Sequence, residues 1–187
     1  MGDVRERLLE AAYACVARYG LAKTTMEDVG REAKLSRATL YRYFPGGKDQ
    51  LVRDVVAWET GRFFAELTQA VAGEDDLADL LTETLVFAHR AVAEHAVLQK
   101  ILQTEPDRLL PLLTVENDAL VAMVRTFLLP ALHRSPLRAG VDVDLAADYL
   151  ARLVLSHISA QGSTDLTDRD AVRALVRTQY LGGLVER

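Results

Sequence analysis

Between Lys23 and Lys48 the chain carries six basic and three acidic residues, a local net of +3. The basic positions are interleaved with small, hydroxyl-bearing and aromatic ones: Lys23, Thr25, Ser36, Arg37, Ala38, Thr39, Tyr41, Arg42, Tyr43 and Lys48. Arginine can donate twice to guanine, threonine and alanine can touch a thymine methyl, and tyrosine hydroxyls can reach phosphates. The chemistry this set suits is the recognition of a polyanion.

Bond-making chemistry finds no comparable set. Cys15 is the single cysteine, which rules out an intrachain disulfide or a multi-cysteine zinc site, and its apolar neighbours mark it as a small core residue. His89 and His95 are six apart, about 120° on a continuous helix, so with Glu94 they make no common metal spacing. His133 reads as an ordinary structural or solvated histidine. No nucleophile elbow, dinucleotide fingerprint or catalytic carboxylate pair occurs. Gly46-Gly47-Lys48 superficially suggests a phosphate loop, but Arg42 stands at the required first glycine and Asp49 at the Ser or Thr. The reading is therefore not an enzyme, with no cofactor and no metal.

Whole-chain charge argues the other way about nucleic acid until it is divided. Of 187 residues, 22 are basic and 27 acidic, a net of −5. Residues 1–50 carry +2 and residues 51–187 carry −7, which confines anion binding to the first quarter. Apolar residues at 50% and charged residues at 26% are those of a globular chain with a sizeable core. The length is too short for a barrel enzyme of about 250 residues. Met1 to Arg7 has no apolar signal core and no apolar run approaches 18 residues, so the expected setting is the cytoplasm.

The elements that position these residues are helical throughout. Val4, Leu8, Ala12, Cys15, Val16 and Tyr19 form one stripe of a helix over about 4–19, ended by Gly20 as a left-handed cap. Thr25 caps a short helix whose inward residues are Met26, Val29, Gly30 and Ala33, and which ends near Lys34. Ser36 caps a third, Arg37 to Phe44, which stops at Pro45-Gly46-Gly47. Further helices are expected at about 48–72, 77–94, 97–103, 107–129, 145–160 and 168–184, with Pro106 or Pro111 setting a start or a kink and Pro130 an end. The fold class is all-α: a three-helix head with a helix-turn-helix over 1–47, and a larger helical body over 48–187.

At 100° per residue, Leu40 and Phe44 of the third helix fall within about 40° of each other and must pack inward. Ala38, Thr39 and Arg42 then point outward, Tyr41 and Tyr43 lie on the flanks, and Arg37 extends from the first turn. That face suits a major groove. Backbone N–H groups at the helix starts near Thr25 and Lys48 favour phosphate, with Lys23 beside them.

The stretch Thr24 to Leu51, and within it Ser36, Thr39, Leu40, Tyr41, Tyr43, Phe44, Lys48 and Leu51, resembles the DNA-binding signature of TetR-type (tetracycline-repressor-like) transcriptional regulators. The run 104–113 is similar to some members. The resemblance implies a homodimer that binds a palindromic operator, usually as a repressor, and releases it when a small molecule enters the body. It implies base-facing roles for Arg37, Ala38 and Thr39, a backbone or thymine-methyl contact for Tyr41, and phosphate contacts for Tyr43, Thr25 and Lys48; with the placement of the residues themselves, Arg42 joins the base-facing candidates and Lys23 and Ser36 the phosphate candidates. Two positions depart from the pattern: Gly30, where Ala is frequent, and Lys34, where the turn often has Gly. A helical sensor or carrier without operator binding is the alternative.

In the body, apolar residues of 143–160 occupy more positions than one stripe uses, and 171–181 offers a second surface. Tyr149, Leu150, Leu153, Val154, His157, Ala171, Leu175 and Val176 are candidates for a four-helix dimer interface; the alternative is that they complete the body's own core. Trp58, Phe63, Phe64, Phe87, His89, Leu98, Leu102, Met123 and Phe127 are candidates either for an apolar effector pocket or for a dry core. The helix from Lys48 is placed to act as a lever between effector and operator.

Overall fold

A computed structural model describes residues 4–113, 118–160 and 162–186. Residues 1–3 lie outside the described residues, as do 114–117, which the sequence places inside one helix. The helices are α1 (Val4–Tyr19), α2 (Met26–Ala33), α3 (Arg37–Tyr43), α4 (Gly47–Ala70), α5 (Leu77–Glu94), α6 (Ala96–Thr104), α7 (Pro106–Leu113), α8 (Asp118–Arg134), α9 (Val143–Ser159) and α10 (Arg169–Leu175). A π-helical turn, Val176–Tyr180, follows α10. Among the described residues there is no strand, only an isolated bridge between Leu137 and Val185.

Two compact units emerge: Met1–Ala65 with Ala96–Leu109, and Glu66–His95 with Leu110–Arg187. The first is larger than a head of residues 1–47, because most of α4 and all of α6 join it.

The first unit is built on α1, α2 and α3. Leu8, Leu9, Ala12, Cys15, Met26, Val29, Ala33, Leu40 and Phe44 close its core, and Leu51 and Val55 of α4 complete it. The inward stripe expected of α2 is buried at all four positions. Tyr19, expected on the α1 stripe, is 41% exposed instead, since it occupies the last helical position with Arg18 over its ring. Gly20 takes φ +84° and receives the helix end through its N–H to Val16 O at 2.8 Å.

One residue in the α1–α2 turn is held from both sides. Ala22 N donates to Glu105 Oε2 at 2.6 Å, and Lys48 Nζ donates to Ala22 O at 2.7 Å. Lys100 of α6 donates to Ala17 O at 2.9 Å and Arg18 O at 3.4 Å, satisfying carbonyls that the end of α1 leaves open.

In the second unit α8 and α9 form the most extensive pairing, closed by Val121, Val124, Leu128, Leu132, Ala147, Leu150, Ala151 and Val154. The expected stop at Pro130 is corrected: α8 runs on to Arg134. Leu128, Ala131 and Leu132 are buried around the proline, and losing that burial would cost more than one absent helical hydrogen bond. The last helix also ends early. After Leu175 the ladder widens, Leu181 N bonding Val176 O at 3.0 Å, and Gly182-Gly183 stop it. Leu184 O and Pro136 O then receive Arg138 N and Glu186 N.

Candidate nucleic-acid interface

Geometry at the head begins with two caps. Thr25 opens α2: its Oγ1 accepts from Asp28 N at 3.1 Å, while the Asp28 carboxylate accepts from Thr25 N at 3.2 Å and from Thr25 Oγ1 at 2.6 Å. The Thr25 hydroxyl, with the backbone N–H and Arg31 adding, holds the Asp28 carboxyl below the usual carboxylate range. Ser36 opens α3, its Oγ accepting from Thr39 N at 3.1 Å and sharing a hydrogen bond with the Thr39 hydroxyl at 2.9 Å. The Thr25 and Ser36 hydroxyls, both proposed for phosphate, are thus already part of a cap.

Between the caps lies the turn. Lys34 has φ 54° and ψ 43°, the left-handed region. Its N–H donates to Arg31 O at 3.2 Å, and Leu35 N donates to Gly30 O at 2.9 Å, the paired bonds of a Schellman ending. Leu35 packs back on the head core. A Cβ on Gly30 would stand 3.3 Å from Leu35 O, so the missing side chain that weakens α2 also admits the turn.

Helix α3 buries the side chains its period requires, while Thr39, expected outward, is partly covered beside the Ser36 cap. Leu40 and Phe44 are fully buried, while Arg37, Ala38, Tyr41 and Arg42 are exposed and Thr39 and Tyr43 half-buried. The Arg42 guanidinium lies 5.4 Å from the Tyr43 ring centre, and Tyr43 leans on the core. Arg37 is engaged twice: its Nη1 sits 2.7 Å from Glu27 Oε1, and its Cζ lies 5.3 Å from the Tyr41 ring centre. Glu27 escaped the sequence reading because a contact across the turn follows no helical period. Its one signal was an acid in the first turn of α2 within a basic stretch. Lys23, Lys34 and Arg42 make no ion pair among the described residues.

A short helix with a capped start, a left-handed turn before it and an exposed basic face has the form that suits a major groove. The family model for bacterial regulatory proteins of the tetR family matches residues 8–55, the span of this head. Those residues carry the likeness to the tetR family. An HTH-type transcriptional regulator of Mycobacterium tuberculosis, Rv0196, is 27% identical over 206 residues, covering 100% of this chain and 99% of the other. YxaF of Bacillus subtilis, also an HTH-type transcriptional regulator, is 23% identical with 100% and 97% covered. Among solved structures, the tetR-family repressor AlkX of Dietzia sp. is 25% identical, with 97% of each chain covered and a TM-score of 0.69. The repressor QsdR of R. erythropolis shares the fold at 19% identity and TM-score 0.67, with 98% and 96% covered. A tetR-like head, together with relatives that are HTH-type transcriptional regulators along the whole chain, supports a DNA-binding transcriptional regulator and not an enzyme. Among the described residues no helix is long and apolar enough to cross a membrane, and no group of three or more His, Cys, Asp or Glu could hold a metal ion.

The other sequence candidates divide between the units. Trp58 lies in the first, on the head core, with Tyr13 edge-on at 6.4 Å and Arg62 at 5.0 Å. Phe63 and Phe64 stack edge to face there at 5.5 Å, and Leu98 and Leu102 are in the same unit. Phe87, His89, Met123 and Phe127 belong to the second. All nine are half-buried. Of the interface candidates, Leu150, Val154, Leu175 and Val176 are buried within the second unit and have little surface left for a partner. Tyr149 is 43% exposed, and Leu153, His157 and Ala171 are half-buried. His157 Nδ1 lies 2.8 Å from the Tyr180 hydroxyl, which donates to Leu153 O at 3.1 Å, and burial pushes the Tyr180 phenol up.

Proposed function

We propose that the chain is a homodimeric repressor that binds a palindromic operator through α3 and leaves it when an apolar small molecule binds the body. The observation that carries this reading is the exposed face of α3, with Arg37, Ala38, Tyr41 and Arg42 outward and Thr39 at its edge, on a tetR-family head. Residues 1–47 are the DNA-binding part and 48–187 the sensing and pairing part. Arg37, Ala38, Thr39, Tyr41 and Arg42 face bases; Lys23, Thr25, Ser36, Tyr43 and Lys48 face phosphates, with Lys34 a further cation at the turn. The work is done in the cytoplasm, where the DNA is.

A half-site reader needs a twin, because two recognition helices must meet the groove about 34–36 Å apart or a multiple of it. Leu145, 72% exposed, and Tyr149 on α9 are the apolar side chains available for that pairing. Large apolar side chains kept half-buried within the second unit, Phe87 and Phe127 among them, favour an apolar effector. AlkX, implicated in the biodegradation of n-alkanes, points to the same chemical class.

Selection of bound fragments from the source genome, followed by anisotropy titration at several salt concentrations, tests the reading. The expected result is a palindromic site bound with a salt-dependent and a sequence-selective component. Within that site Arg37→Ala costs roughly 1–3 kcal/mol and relaxes one base position. Binding that is equal for all fragments would overturn the operator reading.

A further inference from the structure

The ion pair between Glu27 and Arg37 sits where it cannot be explained by folding. Both side chains face solvent, 53% exposed for Glu27 and 68% for Arg37, and an exposed pair contributes little to stability. Neither residue belongs to the head core. A carboxylate on a surface that must approach phosphates is also a liability, since like charges repel there. Three groups nonetheless converge: the Glu27 carboxylate from the first turn of α2, the Arg37 guanidinium from the first turn of α3, and the Tyr41 ring beneath that guanidinium one turn on.

We propose that Glu27 is a specificity-determining residue that acts through Arg37, holding its guanidinium as a fixed fork so that it reads a base instead of gripping a phosphate. Arginine has five N–H donors in a planar array. With Nη1 engaged by Glu27 and one face on Tyr41, the remaining donors keep a single orientation and can meet the O6 and N7 acceptors of guanine. On unrelated DNA the same pairing neutralises Arg37, so sequence-independent affinity rests on Lys23, Lys34 and Lys48. Glu27 thereby lowers the affinity for wrong sites more than for right ones, which is how a repulsive element creates selectivity.

This inference rests on the reading of α3 as the operator-facing helix, and the test separates the two. Full-length wild type, Glu27→Gln, Arg37→Ala and the double variant are titrated with the selected operator and with a scrambled duplex of equal length across a salt series. For Glu27→Gln the expected result is a selectivity ratio roughly tenfold lower. Its scrambled-duplex binding is tighter, with a log–log salt slope steeper by about one unit as Arg37 takes a phosphate. In the Arg37→Ala background the same change should leave ratio and base preference where they stand, a readout that a merely structural role would not give. An unchanged ratio and slope in Glu27→Gln, with a selective wild type, overturns this inference alone; so does an equal effect with and without Arg37. A wild type that shows no selectivity overturns the operator reading and this one together.

Discussion

Lys34 holds a conformation that side-chain-bearing residues rarely adopt, and it does so at the turn on which the recognition helix depends. The left-handed region costs a lysine about 1 kcal/mol or more relative to glycine. Lys34→Gly should therefore raise stability by about 1 kcal/mol in denaturant unfolding. It should also reduce the salt slope of operator binding by about one unit if the lysine meets a phosphate. A stabilised variant with an unchanged slope would remove Lys34 from the contact set. At Thr25 the expectation concerns pH. The Asp28 carboxyl lies below its ordinary range in the folded chain, so its contribution is fully present above the ordinary aspartate value of about 4 and is lost below it, as pH falls through the lowered value of the folded chain. Thr25→Ala should cost about 1 kcal/mol at neutral pH. Thermal melts of the two proteins should converge as the solution is acidified, and a gap that stays constant with pH would show that Asp28 is not the partner that matters.

Among elements, α1 and α5 were legible to the residue, because each has an unbroken apolar period and a marked end: Gly20 after Tyr19, and a polar Glu94-His95 step after Val92. The inward face of α2 and the core role of Leu40 and Phe44 followed from the same period. What periodicity could not show was set by packing. Pro130 reads as a stop until Leu128, Ala131 and Leu132 are seen to be buried around it, and the widening at Val176–Tyr180 has no signature in residue type. The candidate site was legible for α3, whose exposed face follows from rotation alone, and illegible for Glu27, whose partner lies across a turn. The second unit shows another contact of that kind: Arg169 pairs with Glu83, Arg173 with Asp79 at 2.6 Å and Arg177 with Asp76 at 3.8 Å, a ladder joining α10 and its π turn to α5. Arg173→Met keeps the length of the side chain and removes the charge. It should lower stability by up to about 1 kcal/mol at low salt. The loss should shrink at high salt, where screening already weakens the pair. A loss independent of salt would assign the effect to packing of the arginine stem.

For the molecule as a whole the decisive quantity is the assembly. A single head with one short recognition helix binds few phosphates and few bases, whereas two heads on one operator gain by effective concentration. Leu145, the most exposed large apolar side chain among the described residues, should be covered in the working form. Sedimentation of the wild type should show a dimer at micromolar protein. Leu145→Lys should shift it toward monomer and weaken operator binding by roughly 100-fold or more, with little change at a half-site. A Leu145→Lys protein that stays dimeric would move the pairing surface elsewhere.

The α1–α2 turn is wired through Ala22, and the atoms used are the residue's own backbone N–H and C=O. Glu105 and Lys48 therefore recognise a position in the chain and not the kind of residue found there. Mutational drift at position 22, whose side chain is exposed, leaves the connection intact, whereas a change at either charged end breaks it. Proline alone is barred, since it lacks the N–H that Glu105 requires. In a saturation library the turn should look permissive while its two distant anchors look restricted, a pattern opposite to the usual contrast between a variable surface charge and a constrained turn.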